Sequence, residues 1–166
     1  MIPHPLHPAI VHFPIVLMLL LPIATLAALI AIGRGASARV SWLPVVGIAA
    51  ALTLSAWAAV ETGEGEEERV ERVVPRSVIH EHEESAEIFF PLTVVALLIV
   101  AGGLARERPG RVLRGTAVVA AFVVAGAGYR VGHSGGSMVY EHGAASAYAV
   151  PNGSIGSGED ERGERH

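Results

Sequence analysis

The sequence contains no cysteine and no lysine, and only 17% of its residues are charged. The lack of cysteine excludes disulfides, thiolate zinc sites and iron–sulfur clusters, because all three need cysteine sulfur. All twelve basic residues are arginine, and sixteen acidic residues outnumber them. The net charge of −4 gives no reason to expect nucleic-acid binding, which depends on a basic surface.

Apolar residues are abundant, with 51% of the chain hydrophobic and a mean hydropathy of +0.47. A soluble domain of this length rarely hides so much apolar surface, whereas a lipid bilayer accepts it. A bilayer core needs about 20 apolar residues in a helix. Four runs reach that length, and they cover residues 9–33, 40–60, 86–105 and 112–133. We therefore predict an all-α bundle of four transmembrane helices within residues 1–150, followed by a disordered polar tail at 151–166.

The first run is expected to remain as a span and not to be a cleaved signal peptide. Residues 1–8 carry no positive charge before it, and the run is too long for the apolar region of a signal peptide. Arg114 and Arg130 lie inside the ends of the fourth run, where we expect their side chains to snorkel to the membrane surface. Trp42 is expected at a membrane interface, as part of an aromatic belt.

Arginines in the short loops give an orientation. Arg34 and Arg39 follow the first run, and a second group, 106–114, follows the third run with one acid among four arginines. The positive-inside rule places these two loops in the cytoplasm and both termini outside it. We thus predict a multi-pass protein of the inner (plasma) membrane.

The eight histidines lie, in this topology, on the extracytoplasmic side or at the outer edge of a span. His12 is about one turn inside the first span and should face the bundle, because a polar group facing lipid is costly. His80 and His82 are two residues apart, so on a helix they point about 200° apart and only one can face inward. A cluster of imidazoles at one membrane face suits metal ligation or proton transfer.

Two ligand hypotheses follow, and both make the protein a redox or metal-binding membrane protein more than a stand-alone enzyme. In the first, haem b iron is bound by His12 on one side and by His82, His80 or His133 on the other, while Arg130 holds a haem propionate. In the second, the site binds zinc, copper or iron. Its candidate ligands are His7, His12, His80, His82, Glu83, His133 and His142.

The alternatives involve no cofactor. Histidines at helix ends often only hydrogen-bond the backbone, and the protein would then be an accessory subunit of a larger membrane complex. No catalytic residue is predicted: Ser134 and Ser137 lie near His133, but the sequence has neither a nucleophile elbow nor an orienting acid there. Gly128, with the glycines four and eight residues further on, predicts close approach of another helix.

Two motifs resemble those of a known family. The segment 7–15, His-Pro-Ala-Ile-Val-His-Phe-Pro-Ile, resembles the H-P-x-x-V-H-F-P-I signature of predicted bacterial membrane proteins, domain-of-unknown-function family 2231. The segment 135–143 resembles that family's G-G-x-L-V-Y-x-H-G ending, with Met138 in place of the leucine. The motif positions are His7, His12, His133, Gly135, Gly136, Tyr140 and His142.

The resemblance covers residues 1–143 and implies a four-span membrane domain. Domains of this kind accompany cytochrome c modules in some bacterial proteins, which implies redox work outside the membrane. The partners it implies are therefore the lipid bilayer and other membrane or cytochrome subunits, and a homo-oligomer stays open. The acidic stretch 79–84 resembles a subgroup only, so the wider family gives His80 and His82 little support as ligands.

Overall fold

A computed structural model describes residues 6–148, and these form helices with no strand among them. The helices are α1 (His7–Ile10), α2 (His12–Gly33), α3 (Ala38–Glu64), α4 (Glu67–Val70), α5 (Arg76–Gly102) and α6 (Glu107–Tyr140), followed by a 3₁₀ turn (Ala144–Tyr148). The predicted polar tail, 151–166, lies outside the described residues.

Four helical segments are long and apolar enough to cross a membrane, which confirms the predicted all-α four-span bundle. The first of them is α1 with α2, and the others are α3, α5 and α6. Their outward surfaces are apolar, and Leu98 and Val119 are 67% and 64% exposed. Lipid is the solvent that such surfaces require, since water would make them aggregate.

The helices α5 and α6 extend furthest beyond the runs that predicted them. α5 begins at Arg76, and α6 continues to Tyr140. Hydropathy marks only the part of a helix that lies in hydrocarbon, whereas polar residues can continue the same backbone hydrogen bonds beyond it. Both helices therefore project past the predicted membrane boundary at the end of the bundle that carries the histidines.

The four long helices form a closed ring in which α2 packs on α3, α3 on α5, α5 on α6, and α6 on α2. Small and branched side chains fill the centre, among them Leu21, Leu52, Val100 and Val124. Successive helices are antiparallel, so the bundle has two ends. The histidine end holds α1 and the end of α6, and the arginine end holds the α2–α3 and α5–α6 turns.

Two expectations for the arginine end were wrong. Trp42 is fully buried and donates its indole N–H to the Val100 carbonyl at 2.8 Å, so it does not belong to an interfacial belt. Arg114 does not snorkel, because it is only 7% exposed and donates to the Gly103 carbonyl. Val100 and Gly103 lie at the end of α5, where carbonyl oxygens have fewer partners within the helix and can accept hydrogen bonds from side chains of neighbouring helices.

A small roof covers part of the histidine end. It consists of α4 and the 3₁₀ turn, and its core is formed by Val70, Val74, Ile79 and Ala144. The sequence predicts a short amphipathic helix at 66–74, with Val70, Val73 and Val74 on one side. The helix spans only Glu67–Val70, and Val70 and Val74 are buried against Ile79 and Ala144 whereas Val73 is 41% exposed.

Candidate functional site

Two histidines meet at the histidine end of the bundle. His7 is the first residue of α1, and His82 lies in the second turn of α5. Their ring centres are 6.4 Å apart, and the ring planes are almost perpendicular, at 84°. Both side chains are half-buried. This histidine pair is the candidate site.

Helix α3 fixes the ring of His7. The Nδ1 atom of His7 lies 2.9 Å from the Ala59 carbonyl oxygen, which can only accept a hydrogen bond. The proton of the neutral ring is therefore on Nδ1. The Thr62 hydroxyl, 3.4 Å from the same nitrogen, donates its own proton to the Ala58 carbonyl. Nε2 of His7 accordingly carries the lone pair.

Helix α6 fixes the ring of His82 in the same way. Its Nδ1 atom lies 2.9 Å from the Ser134 hydroxyl oxygen. That hydroxyl donates its single proton to the Val131 carbonyl at 3.0 Å, so it accepts from His82. The proton of His82 is again on Nδ1 and the lone pair on Nε2. The neutral pair therefore presents two basic Nε2 atoms.

Each ring also packs against a glycine of a neighbouring helix. A β-carbon on Gly63 of α3 would lie 3.2 Å from Cε1 of His7, and one on Gly135 of α6 would lie 3.1 Å from Cε1 of His82. Any larger residue at either position would force the ring to move. These two glycines thus leave the space that the imidazoles occupy, and Gly135 is a position of the closing motif.

Charged and aromatic groups of the roof lie next to the pair. The Glu66 carboxylate is near enough to His7 to act on it electrostatically, and it is 3.7 Å from a guanidinium nitrogen of Arg69. Arg69 in turn lies over the ring of Tyr148, 5.5 Å from its centre. Burial raises the pKa of the Tyr148 hydroxyl, and the charge of Glu66 and a hydrogen bond to it raise that pKa further. The roof therefore gathers a carboxylate, a guanidinium and a phenol, and the carboxylate is the group close to His7.

The other predicted histidines do not join the pair. His12 is exposed, contrary to the expectation that it faces the bundle, and its Nδ1 is 3.3 Å from the Ala9 carbonyl of the preceding turn. His133 is exposed and stacks on Tyr129 of its own helix, with ring centres 6.1 Å apart. His142 is half-buried, with Nδ1 3.3 Å from the Ser137 carbonyl.

The two histidines at the start of α5 behave as their spacing predicted, since His82 faces inward and His80 is exposed. Glu83 is half-buried among acidic neighbours, and Arg130 is exposed. Within residues 6–148, no three histidine or carboxylate side chains come close enough together to hold a metal ion. The structure thus selects two of the predicted site residues, His7 and His82, and separates the rest.

Sequence reasoning missed most of the groups that support the pair. No sequence signal marks Ala59 or Gly63, because any α3 residue facing α1 could take the same role beside His7. Ser134 was considered only as a nucleophile, although it stands beside the Gly135–Gly136 motif and four residues after Arg130. Its position next to a motif glycine is the one signal that could have identified it.

Comparison with protein-family models gives one match, to the predicted membrane proteins of family DUF2231, over residues 3–147. Neither the curated proteins nor the solved structures give a significant match. The matched segment contains all four long helices and both histidines of the pair. The chain therefore belongs to DUF2231, a family of predicted membrane proteins.

Proposed function

We propose that this protein binds a transition metal through His7 and His82 and serves membrane electron transfer at the extracytoplasmic face. The observation that carries the proposal is the matched pair of Nδ1 hydrogen bonds, to Ala59 and to Ser134. Metal-binding histidines characteristically donate one ring N–H to a carbonyl or similar acceptor and bind the metal with the other nitrogen.

The separation of the rings suits a shared ion. A metal held at about 2 Å by each of two Nε2 atoms places the ring centres about 5 to 6.5 Å apart, depending on the angle at the metal. The observed distance of 6.4 Å between the ring centres is close to the upper end of that range, where the angle at the metal is widest. The nearby carboxylate of Glu66 adds negative charge.

Two forms of the metal are compatible with this chemistry, haem b iron or a single ion of zinc, copper or iron. The ligand count favours haem, because porphyrin nitrogens fill the remaining positions whereas a structural zinc site takes four protein ligands. A single ion completed by water needs less space than haem, and the cavity one helical turn away, between Ser85 and Arg130, measures only about 40 Å³.

The first experiment is the visible spectrum and the metal content of the full-length protein, purified in detergent from cells supplied with haem, iron, copper and zinc. Sharp α and β bands after dithionite reduction identify haem b. A colourless protein with about one equivalent of metal identifies a single ion. Either result is expected to depend on the histidine pair.

The decisive comparison is between buried and exposed histidines. His7→Ala and His82→Ala should each lower occupancy at least about tenfold, because one imidazole alone binds weakly. His12→Ala and His133→Ala are matched controls at exposed positions of the same end and should keep the wild-type occupancy. Helical circular dichroism and elution volume establish that each variant is folded.

Two outcomes contradict the proposal. Wild-type protein with neither colour nor stoichiometric metal leaves only the accessory-subunit function, which co-purification of other membrane subunits then tests. Full occupancy in both His7→Ala and His82→Ala moves the site away from the pair.

A further inference from the structure

The distance between the rings of the histidine pair indicates the angle at a shared ion. With a metal about 2 Å from each Nε2 atom, the ring centres lie about 5 Å apart at a tetrahedral angle and about 6.3 Å apart when the two bonds are collinear. The observed distance between the ring centres is 6.4 Å. A metal shared by these two rings would therefore have His7 and His82 on opposite sides.

The pair supplies two ligand atoms. Each Nδ1 is engaged, one with the Ala59 carbonyl and the other with the Ser134 hydroxyl, so each ring offers a single nitrogen. Across residues 6–148, no third histidine or carboxylate comes close enough to complete a metal site. Glu66 acts on His7 through its charge and supplies no ligand atom in this arrangement. The described part of the chain thus offers an ion two neutral nitrogen ligands at a wide angle.

Few metal ions accept two ligands at a wide angle. Zinc takes four ligands in a tetrahedron, and Cu(II) prefers four in a square. Cu(I) has a filled d shell, and two collinear imidazole nitrogens are enough to satisfy it, since imidazole is a good copper ligand. Haem iron also binds two imidazoles on opposite sides, but a porphyrin needs far more room than the cavity of about 40 Å³ beside Ser85, one turn from His82.

We infer that the ion held by the histidine pair is Cu(I), bound in a line by the Nε2 atoms of His7 and His82. The inference rests on the proposed function and names its metal. Two neutral nitrogens at a wide angle stabilise the cuprous state relative to the cupric state, which calls for four ligands. Zinc would bind the same two nitrogens more weakly, since it would have to take its other ligands from water.

The affinities for the two ions test this, measured on the full-length protein in detergent under anaerobic conditions. Cu(I), kept reduced with ascorbate, is titrated against the cuprous chelator bathocuproine disulfonate, and Zn(II) is titrated against a zinc chelator. We expect one equivalent of Cu(I), bound at least about 100-fold more tightly than Zn(II). X-ray absorption at the copper edge should show two nitrogen neighbours at about 2 Å and no others in the first shell.

Exchange of one ligand separates the ions by their chemistry. His82→Met replaces the imidazole with a thioether, which suits the softer Cu(I) better than Zn(II), and should keep the Cu(I) affinity within about tenfold of the wild-type value. His82→Glu supplies a hard carboxylate and should lower the Cu(I) affinity by at least about 100-fold. His12→Met is the control at an exposed position of the same end and should match the wild type.

The outcomes distinguish this inference from the proposed function. Zinc bound as tightly as Cu(I), four first-shell neighbours around copper, or haem bound by the pair overturns the inference and leaves the proposed function standing. A loss of Cu(I) in His82→Met that equals or exceeds the loss in His82→Glu also overturns it, and the same exchange at His7 repeats the test if circular dichroism shows a variant at His82 to be unfolded. Wild-type protein that binds none of these metals overturns both.

Discussion

Ser134 determines which nitrogen of His82 is available, because its hydroxyl proton is already donated to the Val131 carbonyl. Ser134→Ala removes the acceptor of the Nδ1 proton. We expect metal affinity to fall by about 10- to 100-fold, as is typical when the group that orients a ligating histidine is lost. Metal occupancy at a fixed free metal concentration measures this.

Ser137→Ala is the control for that change. The Ser137 hydroxyl donates to the Glu141 carboxylate one turn further along α6 and does not contact His82. Its removal should leave occupancy unchanged. An equal loss in both variants would mean that Ser134 acts through the stability of α6 and not through His82.

Gly135 and Gly136 differ in what a methyl group would meet. Gly135→Ala would place a carbon 3.1 Å from His82, whereas a β-carbon at Gly136 would meet nothing within 4 Å. We expect Gly135→Ala to displace the imidazole and lower metal occupancy. Gly136→Ala should instead stabilise the protein by about 0.5–1 kcal/mol, since alanine loses less backbone entropy in a helix.

Occupancy and thermal unfolding in detergent, measured on both variants, separate the two effects. Occupancy that stays at the wild-type level in Gly135→Ala would show that the His82 ring has room to move. A lower melting temperature for Gly136→Ala would show that the end of α6 needs glycine for another reason.

Which histidines meet could be predicted only in part. Helix geometry correctly predicted that one of His80 and His82 faces outward, because residues two positions apart on a helix point about 200° apart. The choice of His7 over His12 depends on how α1 lies against α3, which is set by packing between residues more than 50 positions apart, such as His7 and Ala59. Hydropathy carries no information about such contacts.

At the scale of the helices, the apolar runs located all four spans, because a bilayer demands length and apolarity from each segment separately. The predicted locations of two side chains near the end of α5 were wrong. Trp42 and Arg114 were expected at the membrane surface from their chemistry alone. Hydrogen bonds to the Val100 and Gly103 carbonyls keep them inside, and such contacts between helices cannot be recognised from the sequence of either helix alone.

Arg114 is expected to matter more for stability than the arginine three residues before it. Arg114→Ala removes a buried charged hydrogen bond to Gly103 and should lower the free energy of unfolding by about 1.5–3 kcal/mol. Arg111→Ala, at an exposed position of the same turn, should change it by less than about 0.5 kcal/mol. Thermal unfolding in lipid-free detergent measures both, and equal effects would contradict a structural role for Arg114.

At the scale of the whole molecule, the chain's lack of cysteine makes the predicted orientation directly testable. Ser146 lies in the exposed 3₁₀ turn at the histidine end, and Ser37 lies in the exposed turn at the arginine end. In intact cells, or spheroplasts where an outer membrane is present, a membrane-impermeant maleimide should label Ser146→Cys. Ser37→Cys should react only after the membrane is permeabilised. The reverse pattern would place the histidine pair in the cytoplasm.

The ring of helices also brings the first and last spans together, since α2 packs on α6, and the histidine pair draws its supports from α3 and α6. The hydrogen-bond acceptor of His7 lies in α3. The acceptor of His82 is Ser134 in α6, which is synthesised only after the other three spans. During synthesis, His82 is therefore made before Ser134, and the ribosome must complete α6 before the hydrogen bond between them can form. A chain that stops short of α6 leaves this imidazole without its Ser134 partner, so the complete pair can form only after the last span has been made.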